Sequence, residues 1–255
     1  MTTLSTMVVT NRPQFTPWWT WSITKQTRRP DEVIVVTNYD FEDDEDAAAF
    51  EETIKWLLDG LPTQVVFLPA TYTTIGEMRQ TALNLSTGTL VNYIDDDDWY
   101  HPWMFKLLIR GYEQGYKLVT ATGQHRLVLD TLTLFQFAEI IDLIHLPFCA
   151  VDGALARRIR FIPASIDEDI QWLNQVSDHV RGLRTGVDLE LPVMCMIHTT
   201  NTWNRTTIMG YELAMKLTAC PLPQEAPYGI TDEEWKRTWL ELIALRERLD
   251  MEDLK

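Results

Sequence analysis

Cysteine is scarce in this chain of 255 residues, which contains only Cys149, Cys195 and Cys220. An odd number of cysteines at such wide spacing matches neither the pattern of a zinc site nor a disulfide framework. We therefore expect three reduced and mostly buried thiols, the usual state of cysteine in a cytosolic protein.

Long apolar runs are also missing from the sequence. No window approaches the roughly 18 consecutive apolar residues of a transmembrane helix. Residues 1–10 lack the basic region and the long apolar run of a signal peptide. These absences predict a cytoplasmic protein without an integral membrane segment.

Basic residues are outnumbered, since 22 Lys and Arg stand against 37 Asp and Glu, and the formal net charge is −15. A basic surface for nonspecific nucleic-acid binding is therefore excluded as a property of the whole chain. Three acidic segments account for the deficit: residues 40–52 with eight acids, residues 95–98 with four, and residues 167–169 with three. We interpret residues 40–52 as a solvated loop and helix N-terminus, where acids stabilise the helix dipole. We expect the functional acidic residues in the other two segments, residues 95–98 and 167–169.

The first half of the sequence shows an alternation of short apolar strands with helices. Such alternation predicts an α/β fold with a mostly parallel, Rossmann-like central sheet and helices on both faces. In these sheets ligands bind beyond the carboxyl ends of the strands, and residues 95–98 directly follow one strand. Strands are predicted at residues 4–10, 33–36, 65–68 and 90–94, and helices at residues 16–27 (capped by Thr16), 47–58 and 75–86.

The second half is less regular. Ser165 and Glu168 have the spacing of a capping box at the start of a helix that ends near residue 175, and Thr231 and Glu234 have the same spacing. The last helix has one apolar face, which we expect to pack on the domain or on a partner. Further helices are predicted at residues 103–114 and 205–218, and strands at residues 117–122, 126–129, 133–137 and 193–197.

Four consecutive aspartates, residues 95–98, form the most unusual local feature. Like charges at this spacing disfavour joint ionisation unless a cation compensates them. Because side chains alternate along a strand, we expect Asp95 and Asp97 on one side and Asp96 turned away. Carboxylate oxygens suit Mg²⁺ or Mn²⁺. A metal site and a solvated acidic turn both remain open at this point.

A set of motifs in a fixed order resembles the family-2-type glycosyltransferases, which have the GT-A fold. Residues 93–99, of sequence YIDDDDW, with Pro102 following, resemble the DxD segment of that family. The resemblance covers residues 4–205 and implies a transferase domain at residues 1–218, followed by a C-terminal helical extension at residues 219–255. Further matches are residues 8–13 with the first strand and its nucleotide-pocket turn, 30–36 with the second strand, 75–88 with the helix before the DxD strand, 168–169 with an acidic pair, and 198–202 with a late segment that closes over the donor.

The resemblance implies that Asp97 ligates Mn²⁺ or Mg²⁺ and that Asp95 contacts the donor ribose or the metal. His198 is a candidate metal ligand or phosphate contact, since neutral imidazole also ligates Mn²⁺. A histidine satisfied at a strand end is the alternative. The implied donor is a nucleotide sugar, with a UDP-sugar expected first. Its binding residues are assigned as Thr10, Asn11, Arg12, Asn38, Asp40, Arg79, Asp95 and Asp96.

The chain departs from the family at the end of the second strand, where an aspartate usually reads the nucleotide base. Residues 37–40 have the sequence TNYD, so either Asn38 or Asp40 is left to take that role. Arg79 contacts the diphosphate, pairs with the aspartates, or is an ordinary arginine on a helix surface. Arg157 is a further candidate for a phosphate contact.

The resemblance assigns the proton transfer to the acidic pair, residues 168–169. The acceptor hydroxyl must lose its proton as it attacks, and a carboxylate within hydrogen-bond reach serves as the general base. Asp169 is the first candidate and Glu168 the second. A single base opposite the leaving diphosphate implies displacement with inversion at the anomeric carbon. We expect an acceptor with a hydroxyl group, a glycan or a small molecule before a modified nucleic-acid base.

Two other classes of protein stay open. A nucleotidyltransferase or related nucleotide-sugar enzyme would use similar contacts between aspartate, metal and phosphate, but no glycine-rich phosphate loop with a lysine lies near the first strand. The other class is a non-catalytic module that binds a cation or a partner on a transferase-like fold. The presence together of Asp95, Asp97, Asp169 and His198 argues against such a module.

Overall fold

The computed structural model describes residues 1–70, 73–128, 133–136, 145–180, 184–197, 218–220 and 231–252. The chain divides into two compact units, the first made of residues 1–122 and 141–189 and the second of residues 123–140 and 190–255. The domain boundary predicted between residues 218 and 219 falls inside the second unit and stays a prediction.

Strands and helices alternate through the first unit, as the sequence predicts. In chain order the elements are β1 (Leu4–Thr10), α1 (Thr16–Thr24), β2 (Glu32–Thr37), α2 (Asp44–Leu57), β3 (Thr63–Phe67), α3 (Ile75–Leu85), β4 (Leu90–Ile94), β5 (Trp99–Tyr100), α4 (Met104–Glu113), β6 (Leu118–Val128), β7 (Thr133–Gln136), β8 (Cys149–Asp152), α5 (Gly153–Ala156), α6 (Glu168–His179), β9 (Arg184–Ile197), β10 (Thr218–Cys220) and α7 (Asp232–Glu252).

The sheet of the first unit has the strand order β6-β8-β4-β1-β2-β3. β1 is parallel to both β2 and β4, and β2 is parallel to β3, whereas β8 is antiparallel to β4 and β6. This mixed α/β sheet flanked by helices confirms the predicted fold class. The chain proceeds from β1 to β2 on one side and returns to β4 on the other, so the strand order reverses between β1 and β4. In open α/β sheets such a reversal opens a crevice at the carboxyl ends of the strands.

Buried aliphatic side chains explain why these segments become central strands. All of Val33, Ile34, Val35 and Val36 in β2 are inaccessible to solvent, as expected for a parallel strand that is covered on both faces. An aromatic group lies beside the candidate site: the Phe161 and Trp172 rings stack with centroids 4.8 Å apart, and Tyr93 meets both rings edge-on. This aromatic packing fixes the position of β4 and therefore the direction in which the strand ends.

In the second unit, strands pair in antiparallel fashion. Residues 125–128 of β6 pair with β7, and β7 pairs with β10, which confirms the prediction of paired strands in this part of the sequence. The helix predicted at residues 205–218 lies outside the described residues except for Thr218, which begins β10.

Helix starts test the capping predictions. The box at Thr231 and Glu234 is confirmed, with both backbone N–H groups bonded to the partner side chain. Thr16 is instead the first residue of α1 and caps nothing. α2 begins after Asp43, whose carboxylate accepts the N–H of Asp46; the exposed acids of its first turn agree with a solvated helix N-terminus.

Two remaining predictions concern membranes and cysteines. In the part of the chain that the structure describes, no helix combines the length and apolarity needed to cross a membrane. Cys149 is a free and buried thiol, and burial raises its pKa above the ordinary value. The side chains of Cys195 and Cys220 lie outside the described part.

Candidate active site

The candidate site lies where β1 and β4 end side by side. Val8 of β1 is in register with Ile94, the last residue of β4. Thr10 and Arg12 therefore meet the aspartate turn, defined as residues 95–98, although more than 80 residues of sequence separate them. The carboxyl ends of these two strands therefore lie together at one edge of the sheet.

Arg12 binds two of the four aspartates. Its guanidinium donates hydrogen bonds to both oxygens of Asp96, and its Nη1 lies 2.9 Å from Oδ2 of Asp97. The Thr10 hydroxyl also donates to Asp96. Burial alone would lower the pKa of Arg12, but Asp96 and Asp97 raise it above its ordinary value, so Arg12 stays cationic. It compensates two buried carboxylates that would otherwise repel each other.

The expected alternation of side chains along the aspartate turn is wrong. Asp96 and Asp97 share Arg12, whereas Asp95 contacts Arg79. The strand ends at Ile94 and the next residues form a turn, so the two-residue period of a strand does not extend to residues 95–97.

Arg79 links the aspartate turn to the acidic pair. Its Nη2 lies 3.3 Å from Oδ1 of Asp95, and its Nη1 lies 2.6 Å from Oε1 of Glu168 and 3.9 Å from Oδ2 of Asp169. Arg79 is 7% exposed, which excludes an ordinary helix-surface arginine. Burial acts against its charge, yet Asp95, Asp169 and Glu168 together raise the pKa of Arg79.

The two members of the acidic pair have different surroundings. Glu168 is buried, and burial raises its pKa although Arg79 acts in the opposite direction. Asp169 keeps a quarter of its side chain exposed and is the more distant from Arg79. The predicted capping box of Ser165 and Glu168 is wrong. Glu168 turns to Arg79, and Ser165 accepts a hydrogen bond from the backbone N–H of Ile75.

Asp95 differs from the rest of the turn because about a third of its side chain, 35%, is exposed. Its backbone N–H donates to the Tyr100 hydroxyl over 2.7 Å. Burial of the carboxyl is the main cause that raises the pKa of Asp95 to about 7, with repulsion from Asp97, Asp169 and Asp96 added and Arg79 opposing. A cation that approached the exposed oxygen would favour the ionised form.

The carboxylates of the aspartate turn are candidate ligands for a divalent metal ion. Among the described residues, no group of three or more His, Cys, Asp or Glu side chains stands ready as a metal site, and His198 lies outside them. Asp95 and Asp97 nevertheless offer the hard oxygen donors that Mg²⁺ and Mn²⁺ prefer. Mg²⁺ is commonly held by only one or two carboxylates together with phosphate oxygens. The donor chemistry of this pair therefore fits such an ion.

The end of β2 supplies the candidates for reading a nucleotide base. The Asn38 amide donates to the carbonyl of Thr73 over 3.4 Å, and its Oδ1 is buried without a hydrogen-bond partner. Asp40 is exposed. An aromatic group follows, in which the Phe41 ring lies 4.8 Å from that of Tyr39 and 5.6 Å from that of Phe67. Sequence reasoning missed this group, although three aromatics beside two strand ends are a visible signal.

Two further side chains support the turn, and one predicted contact lies elsewhere. The indole of Trp18 donates to the carbonyl of Asp98 over 3.1 Å, and the Tyr93 hydroxyl donates to the carbonyl of Arg79. Neither contact was predicted. Arg157 donates to the carbonyls of Ser86 and Gly88, just before β4 begins. It is thus at the opposite end of that strand from the aspartate turn.

Comparison with known proteins places this geometry in a family and fold. Residues 6–133 match the model of glycosyl transferase family 2. No curated protein matches the sequence. S. aureus TarS 1-349, in complex with UDP-GlcNAc, is similar with a TM-score of 0.61 and 16% sequence identity, over 78% of this chain and 60% of TarS 1-349.

A second solved protein is similar over more of its own length. Glucosyl-3-phosphoglycerate synthase from Mycobacterium tuberculosis, in complex with Mn²⁺, UDP and glucosyl-3-phosphoglycerate, matches with a TM-score of 0.52 and 17% identity. The match covers 87% of this chain and 88% of that one. The chain thus spans less than two thirds of TarS 1-349 but most of the mycobacterial enzyme. These likenesses confirm the GT-A fold predicted from the sequence.

Proposed function

The chain belongs to glycosyl transferase family 2, and from that premise we propose that it transfers a sugar from a nucleoside diphosphate donor to an acceptor hydroxyl. The observation that carries the proposal is the convergence, at the β1–β4 crevice, of the aspartate turn and the acidic pair through one arginine. The proposal is supported because the carboxylates that would bind a cation and the partly exposed carboxylate of Asp169 are linked by Arg79.

We assign the donor pocket to the loops that follow β1 and β2. Thr10, Asn11 and Arg12 border the diphosphate, and Arg12 is the fixed positive charge of this loop. The unpartnered Oδ1 of Asn38 is the acceptor for a base N–H, and Asp40 is the second candidate. TarS 1-349 was solved with UDP-GlcNAc and the mycobacterial synthase with UDP, which favours a UDP-sugar here.

Asp97 and Asp95 would hold Mn²⁺ or Mg²⁺. The bound ion would neutralise charge that develops on the leaving diphosphate. The protein's own residues prepare this position. Arg12 holds Asp96 and Asp97 in place through its ion pairs, and the Tyr100 hydroxyl holds the backbone of Asp95. The mycobacterial synthase was solved with Mn²⁺, in agreement with a divalent ion.

Asp169 is the proposed general base, because it is the more exposed member of the acidic pair. Glu168 is buried in its ion pair with Arg79 and is less accessible to an acceptor hydroxyl. One base acting opposite the leaving diphosphate gives inversion at the anomeric carbon. The acceptor is a hydroxyl-bearing glycan or small molecule, and we place the reaction in the cytoplasm.

A donor screen tests the proposal. The full chain is incubated with UDP- and GDP-sugars, with and without Mn²⁺, and thermal stability and release of nucleoside diphosphate are measured. We expect a UDP-sugar to raise the melting temperature only with the metal, and slow release of UDP. Release of pyrophosphate from a nucleoside triphosphate would indicate a nucleotidyltransferase instead. Mn²⁺ binding without donor binding or turnover would indicate a non-catalytic module.

A further inference from the structure

We propose that Arg79 is a positioning residue that assigns different roles to the two acids of the pair. It anchors Glu168 in an ion pair and so leaves Asp169 as the base, held at a fixed position relative to Asp95. This inference rests on the proposed function, because it assumes that Asp169 accepts the proton of the acceptor hydroxyl.

The first support is the rigid attachment of α3, which carries Arg79, to the loop before α6. The backbone N–H of Gly76 donates to the carbonyl of Ala164 over 2.9 Å, and the N–H of Ile75 donates to the Ser165 hydroxyl. A Cβ atom on Gly76 would lie 1.9 Å from the carbonyl oxygen of Ile162, so only glycine permits this approach. The two elements therefore keep a constant separation.

The second support is the backbone at the start of α6. Asp167 has a φ of 62°, in the left-handed region, which aspartate tolerates better than most residues. This conformation ends the loop abruptly and starts α6 at Glu168, so that the first helical side chain meets Arg79. Left-handed residues that persist beside functional groups are held by their surroundings.

The third support is the unequal distribution of the Arg79 contacts. Nη1 is 2.6 Å from Glu168 but 3.9 Å from Asp169, and Nη2 is directed to Asp95. One planar cation thus spans the donor side and the acceptor side of the site. The arginine fork makes these contacts at defined angles, which a lysine ammonium does not reproduce.

Arg157 provides a matched control. It is also an arginine of the first unit, but it is exposed, and its guanidinium donates hydrogen bonds to Ser86 and Gly88. Arg157→Gln removes structural hydrogen bonds far from the aspartate turn. Arg79→Gln, Arg79→Lys, Glu168→Gln and the double variant Arg79→Gln/Glu168→Gln test the proposal itself.

The experiment measures kcat and KM for release of UDP from the UDP-sugar that the wild type turns over, and UDP–Mn²⁺ affinity by calorimetry. We expect kcat of Arg79→Gln to fall about a hundredfold, with UDP affinity within about threefold of the wild type. Glu168→Gln should lose a similar factor, and the double variant should be no worse than either single variant, because residues that act as a unit are not additive.

The conservative variant separates positioning from simple structural support. Arg79→Lys keeps the positive charge but not the angles of the guanidinium contacts, so it should recover only part of the kcat that Arg79→Gln loses, with UDP affinity unchanged. Arg157→Gln should lower the melting temperature and leave kcat unchanged.

Three outcomes would overturn the inference: additive losses in the double variant, a loss in Arg79→Gln that appears in UDP affinity rather than in kcat, or the same loss of kcat in Arg157→Gln. If Arg79→Gln does not fold, Arg79→Lys and Glu168→Gln still decide, since normal kcat in both variants excludes the anchor. A wild type that releases no UDP from any UDP-sugar would instead contradict the proposed function.

Discussion

Two acidic regions of similar charge have opposite surroundings in this protein. The first turn of α2 carries Asp44, Glu45 and Asp46, all exposed, and its main local contact is the cap that Asp43 forms. The aspartate turn buries three of its four members to exposures of 2%, 6% and 4%. Water solvates the α2 acids individually, whereas the aspartate turn depends on Arg12 and Arg79.

The difference shows that charge density alone does not locate chemistry. Buried carboxylates are costly unless they are paired, and such pairs arise where the fold brings distant segments together. The proposed cation site depends on such acids, because Asp95 stays partly exposed beside its arginine. The α2 acids meet none of these conditions, so the same residue type has only a local effect there.

Arg12→Ala should lower the stability of the aspartate turn more than any other variant considered for the two regions. It leaves Asp96 and Asp97 buried without their cation, and removal of one partner of a buried pair costs about 3–5 kcal/mol. We expect the free energy of unfolding to fall by that amount at pH 7.5. The loss should shrink at pH 5, because burial already raises the pKa of Asp96 and the variant raises it further, so protonation removes the unpaired charge. Urea denaturation at the two pH values measures this, and an equal loss at both would contradict it.

Asp97→Ala tests the metal at the aspartate turn. Loss of a proposed ligand should weaken Mn²⁺-dependent UDP binding by about a thousandfold, since a bound ion contributes several kcal/mol. Calorimetry with and without Mn²⁺ measures the effect. Glu45→Ala in α2 is the control and should leave UDP binding unchanged; equal effects in both variants would remove the distinction between the regions.

Asp169→Asn tests the base. The amide cannot accept the proton, so kcat should fall by about a hundredfold or more, the usual contribution of general base catalysis. UDP affinity should be retained, because this side chain is not assigned to the donor. Steady-state kinetics and calorimetry on one preparation distinguish the two effects, and full turnover in this variant would exclude Asp169 as the base.

Asp43→Ala probes what the α2 acids contribute. Removing the N-cap should lower the free energy of unfolding by about 1 kcal/mol without any change in turnover. Thermal and chemical denaturation give the first value and UDP release gives the second. A change in kcat would show that α2 takes part in the site.

Lys55→Ala should have the smallest effect. Its exposed ion pair with Glu51 is expected to contribute about 0.3–0.5 kcal/mol, less at high salt. If the free energy of unfolding fell as far as in Arg12→Ala, burial would not explain why the Arg12 ion pairs stabilise the protein more than the exposed pair of Lys55 and Glu51.

Sequence patterns predicted the three central strands well because these are buried on both sides. β1 and β4 have the predicted bounds, and β2 extends the prediction by one residue at each end. Continuous apolar runs leave little choice of element or position. β3 is less buried, and it begins two residues earlier and ends one residue earlier than the predicted strand.

Two of the failures share a cause, since each depends on a partner that is distant in sequence. Glu168 was expected to cap its own helix, but Arg79 lies 89 positions away and attracts it more strongly than a local N–H group. The direction of the Asp96 side chain depends on Arg12, which is 84 positions away in the sequence. Local spacing carries no information about such contacts, and the same holds for Trp18 beside Asp98.

The 89-residue separation of Arg79 and Glu168 also has a consequence for the order in which the chain matures. During synthesis, β1 to β4 and Arg79 leave the ribosome well before Glu168 does. Domains begin to fold as their segments emerge, so a nascent chain that stops short of residue 168 can pair its parallel strands while the Arg79 cation still lacks its nearest carboxylate. The scaffold and the ion pair of Arg79 with Glu168 are therefore completed at different times in the life of the polypeptide.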